Sequence, residues 1–113
     1  MKRIALAAAL CLLAGAALAE AAAAAGLAAI QDLGRVNGQA LACSEMATAG
    51  QAKALMIKHA PKTRRYGEAF EEATNAAFLA QGKGQDGCPK SVEFAARLSE
   101  LSGRLSATLP AGQ

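Results

Sequence analysis

Apolar residues along this chain recur at intervals of three and four, and nowhere do they alternate with polar ones over several positions. The first spacing is that of a helix with one face turned inward, and the second is what a strand requires. Four helical stretches follow. The first covers about residues 21–49, with Ile30, Leu33, Val36, Ala40, Cys43 and Ala47 along one side. Gly50 stands where a left-handed residue would end it. A short second helix carries Ala52, Leu55, Met56 and His59 on one stripe, and Pro61 stops it. The third begins near Pro61 or Thr63, reaches about Gln81 and aligns Tyr66, Ala69, Phe70, Ala73, Ala77 and Ala80. After the glycine-rich loop 82–87, Pro89 at a first helical position or Ser91 as a cap opens the fourth. Its Phe94, Leu98, Leu101 and Leu105 give the most regular pattern in the chain. The expected fold is all-α, a small antiparallel bundle of three to four helices. Gly34 and Gly38, four apart, leave bare spots on one side of the first helix, suited to close approach of another helix.

The N-terminus has a different pattern. Lys2 and Arg3 precede an uncharged apolar run from Ile4 to Leu13, and Ala17-Leu18-Ala19 supplies small residues before Glu20. Those are the three parts of a secretory signal, with 1–19 removed before Glu20. The run from Ile4 to Ile30, interrupted only by Glu20, is also long enough to span a bilayer. The small-residue site and the alanine content favour cleavage over an uncleaved anchor. Cys11 follows Leu10 inside the apolar run, which does not fit a lipid-attachment site. The remaining 20–113 make one helical domain, with 20–26 read as a loose start, 110–113 as a tail and no further membrane span.

Cleavage changes the charge. Two of the twelve basic residues leave, so ten face nine acidic ones and the net falls from +3 to +1. That is too little for a nucleic-acid footprint. Cys43 and Cys88 are left as an even pair in an oxidising compartment, periplasmic or extracellular. Their disulfide would close a loop worth roughly 4 kcal/mol on a chain-entropy basis, a large contribution for a short domain whose interior is mostly alanine. A cysteine late in an early helix and another just before the last resembles the plan of small acid-stress chaperones of the periplasm and of disulfide-linked secretion pilotins. The resemblance is one of layout, without shared motifs.

Little in the chain suggests catalysis. It has one His, no Trp, and no phosphate-binding glycine loop after a strand, so no enzyme activity and no cofactor is expected. Glu68, Glu71 and Glu72 read as a solvated face paired with Arg64 and Arg65. Met46, Met56 and His59 are the ligands a copper(I) site would use, though packing explains them as well. The most informative stretch is Lys58-His59-Ala60-Pro61-Lys62-Thr63-Arg64-Arg65-Tyr66. Cations crowd there around a helix start, where acidic residues are the rule. An arriving anion would meet both the side chains and the free N–H groups. Lys58, His59, Lys62, Arg64, Arg65 and Tyr66 therefore form the candidate site for an envelope anion or a protein partner. The function expected is that of an exported, non-catalytic binding or accessory protein of the bacterial envelope. A chaperone-like or copper-binding role is the alternative, and the Gly34/Gly38 face suits self-association.

Overall fold

The structure, a computed structural model, describes residues 2–84 and 87–110, with side chains from 15 onward. Gln85 and Asp86 of the expected loop, most of the tail and the side chains of Lys2, Arg3 and Cys11 lie outside the described residues. The described chain forms α1 (Lys2–Ala42), α2 (Met46–His59), α3 (Arg64–Gly82) and α4 (Ser91–Thr108), with no strand among these residues. It is an all-α bundle stapled by Cys43–Cys88, whose Cα atoms are 5.8 Å apart.

α1 is the axis of the molecule, and every other helix packs on it. Along one side it buries Ala29, Ile30, Leu33, Val36 and Ala40. Phe94, Leu98, Leu101 and Leu105 of α4 close over that side, joined by Ala49 and Ala52 of α2. Spacings of four, three and four bring the α4 residues back to the same face at each turn, so one stripe contributes half of the large apolar groups in the core. Polar contacts rim this seam. Arg104 bonds Asp32 at 2.8 Å and Arg97 bonds Gln39 at 2.8 Å, so α1 and α4 run antiparallel. Arg104 is half-buried against α1.

α3 sits on another side of α1, by way of the two glycines. A Cβ on Gly34 would meet the Phe70 carbonyl oxygen at 2.6 Å and the Ala73 Cβ at 2.8 Å; one on Gly38 would meet Thr74, Ala77 and Phe78. Helix backbones lie almost in contact here, which only glycine allows. Numbers rise together on both helices, so α1 and α3 are parallel, while consecutive helices alternate in direction. Asn37, 2% exposed, donates to the Thr74 hydroxyl at 3.2 Å across this interface. α3 contacts no other helix and buries no residue fully.

Two boundaries differ from expectation. The first helix ends at Ala42 rather than Ala49, and Gly50 lies exposed inside α2. Ser44 takes the left-handed position with φ 59°. Ser44 N–H bonds the Leu41 carbonyl and Glu45 N–H bonds the Ala40 carbonyl, the paired closure that satisfies the last carbonyls of a helix. At the other end, α1 passes without a break through the expected cleavage point. Residues 20–25, expected to be loose, continue it with exposed side chains, and Gly26 is the first buried position, under Leu109. The helix outside the bundle gives the molecule its 66 Å length against 27 and 25 Å across.

Candidate functional site

The segment joining α2 to α3 follows from simple backbone constraints. Pro61 forces extended geometry on Ala60 (φ −69°, ψ 130°), and α2 stops. Thr63 is extended too (φ −122°, ψ 155°) and precedes the first turn of α3 without a side-chain cap, and that turn holds no acidic residue. The first N–H groups of α3 therefore lack the usual carboxylate or hydroxyl partner.

Four cations surround this junction, all exposed: Lys58, Lys62, Arg64 and Arg65. Lys62 Nζ donates to the Ile57 carbonyl at 2.7 Å, closing the C-terminal end of α2. Arg64 approaches Glu68 at 3.9 Å with both side chains mostly in water, an arrangement worth little. Arg65 has no ion pair among the described residues. Glu71 and Glu72, too far along α3 for a three- or four-residue pairing with the arginines, border two grooves on either flank of α3. Ile57, next to Lys58 and with its carbonyl bound by Lys62, is 70% exposed.

Two of the sequence candidates sit differently. His59 is 3% exposed, and its Nδ1 lies 2.7 Å from the Leu109 carbonyl oxygen. A carbonyl only accepts, so Nδ1 donates this bond, while Nε2 is buried without a partner. His59 belongs to the core and is out of reach of a surface ligand. Tyr66, the residue after Arg65, is half-buried and packs against the core. Nor does α2 bring a copper set together. Met46 and His59 are at opposite ends of a helix about 20 Å long, and no cluster of three His, Cys, Asp or Glu occurs among the described residues.

The corner lies at one particular end of the bundle. Ala73 packs on Gly34 and Ala77 on Gly38, a constant offset of 39, which puts Arg65 level with Gly26. Leu109 touches Gly26 and accepts from His59, which puts the end of α2 at that level as well. The α2–α3 junction and its four cations therefore lie near the level at which α1 leaves the bundle.

Sequence reading did not anticipate the grooves beside α3. The larger, about 570 Å³, has Gln31, Arg35 and Gln39 of α1 as floor and Ala73, Ala76 and Ala80 among its wall residues. The smaller, about 380 Å³, is bordered by Asn37, Phe70 and Lys53. They exist because α3 touches α1 alone, a fact of assembly that no local pattern carries. No protein family, curated protein or solved structure matches the chain.

Proposed function

We propose that this is an exported, non-catalytic binding protein of the bacterial envelope whose working surface is the corner formed by Lys58, Lys62, Arg64 and Arg65. Export is supported by the apolar helix at the N-terminus and by the disulfide, which persists in oxidising compartments. The observation that carries the reading is the corner itself. Four solvated cations meet an uncapped helix start that holds no carboxylate. Anions are the complementary ligands, because the guanidinium groups fork onto phosphate or carboxylate while the backbone N–H groups and helix dipole act in the same direction. An acidic protein surface or a phosphate-bearing envelope component has that chemistry.

A photoreactive residue in place of Arg65, in the exported protein in living cells, tests the reading. We expect adducts that weaken when salt is raised and when Arg64 is changed to Glu. Their absence, in protein shown to be folded and exported, would overturn it.

A further inference from the structure

We infer that in the intact chain, before any cut ahead of Glu20, the basic corner rests on an anionic lipid surface, with headgroup phosphates as its ligand. This rests on the reading of the corner as an anion site and names its partner.

Three independent features converge on it. The first is place: the cations lie at the level of Gly26, where α1 leaves the bundle. Whatever holds the outer part of α1 is therefore next to them.

The second is length. The uncharged stretch Ile4–Ala19 ends at Glu20, and its 16 residues span about 24 Å as a helix, several ångströms short of a hydrocarbon core of about 30 Å, a mismatch that local thinning of the bilayer accommodates. Outward from Glu20, Gly26 is six residues and so about 9 Å further. A headgroup layer is about 5–8 Å deep. With Glu20 at the edge of the hydrocarbon, the corner is at the outer boundary of the headgroups, within reach of long Lys and Arg side chains. The exposed apolar side of α1 outside the bundle, Leu18 included at 72%, is then covered by lipid.

The third is composition. Ile57, 70% exposed, adjoins the cations of this junction along the chain: Lys58 is the next residue and Lys62 binds the Ile57 carbonyl. A large exposed apolar side chain beside lysines suits a surface that settles into a headgroup layer. Basic residues next to a membrane helix are drawn to an anionic surface by its negative potential.

The test uses the intact chain reconstituted into vesicles. Tyr66 is the only Tyr and there is no Trp, so intrinsic emission reports on the corner alone. Vesicles of pure phosphatidylcholine are compared with vesicles one-third phosphatidylglycerol, both carrying a headgroup nitroxide as quencher. We expect quenching of Tyr66 to be about twofold or more stronger on the anionic vesicles. The excess should vanish in about 1 M salt, where screening reaches only about 3 Å, and in the Arg64→Glu/Arg65→Glu variant. Both arginines are exposed in a first helical turn, so the variant should keep its helix content, and Lys58→Gln/Lys62→Gln provides a second version. Equal quenching on the two lipids, or full quenching by the charge-reversed chain, would overturn the inference. Inorganic phosphate titrated onto the zwitterionic vesicles separates the two readings. If phosphate binds through Arg64 and Arg65 with no preference for anionic lipid, the anion site stands and the lipid surface falls. If neither phosphate nor anionic lipid responds to the charge reversal, both fall.

Discussion

Ser44 at φ 59° is a single residue that decides where two helices divide. An L side chain in the left-handed region costs about 1–2 kcal/mol. The cost is offset by the two hydrogen bonds that close α1 and by the disulfide that fixes its neighbour Cys43. Gly50, the residue whose chemistry suits that role, lies instead in the exposed interior of α2, where an added Cβ would meet nothing within 4 Å. Both positions therefore hold the less favourable residue. Ser44→Gly should stabilise the protein by about 0.5–1 kcal/mol by removing that strain. Gly50→Ala should add about 1 kcal/mol through helix propensity. Urea denaturation measures each, and a loss of stability in Gly50→Ala would mean the helix breaks at Gly50 after all. His59 makes the opposite point. A lone His among cations reads as part of a charged surface, yet the end of α4 folds over it and turns it into a core hydrogen-bond donor.

At the scale of elements, the α1–α3 contact depends on two missing side chains. Gly34 and Gly38 were legible as bare spots four apart, since that spacing is geometric and local. What would meet them was not, because the α3 residues concerned are 35 or more positions away. A methyl on Gly38 would press on backbone at Thr74 and Phe78, which cannot rotate aside. Gly38→Ala should therefore destabilise by about 1–3 kcal/mol in spite of its helix-propensity gain. Gly103→Ala on α4, where nothing stands nearby, should instead stabilise by about 1 kcal/mol. Thermal unfolding of the two variants shows the contrast, and equal stabilisation of both would refute the close approach. Asn37 bears on the same interface. Its bond to Thr74 fixes the register of two helices that otherwise meet through alanine and glycine, while its Oδ1 stays buried without a partner.

At the scale of the whole molecule, the core is thin and lopsided. α4 and the residue after it contribute Phe94 and four of the buried leucines, and the Cys43–Cys88 bond holds the entrance of α4 against the end of α1. Ser91 adds a hydrogen bond to Glu45 at the same end. Reduction should cost about 4 kcal/mol by releasing a loop with a sequence separation of 45. Thermal melts with and without reductant, beside Cys43→Ser/Cys88→Ser, measure it, and a shift of only a degree or two would show the bundle is held by its core alone. The disulfide end is far from the basic corner, since α2 and α4 both run the length of the bundle between them.

What the sequence determined by itself was periodic or covalent in origin. Helices repeat every few residues, so the stripe Phe94, Leu98, Leu101, Leu105 and the absence of alternation settled the fold class, and Cys43 and Cys88, the two cysteines outside the N-terminal apolar run, read as the pair that the structure joins. The basic stretch from Lys58 to Arg65 was equally plain, because charge is read residue by residue. Tertiary structure decided the rest. It made α1 the common partner of the other three helices, withdrew His59 into the core, and ended α1 at a serine where a nearby glycine suited the role. It also brought the cations to the point where α1 leaves the bundle, a relation between residues about 40 positions apart. Position along the chain fixes neither distance nor exposure across such a gap; only the packing of one helix on another does.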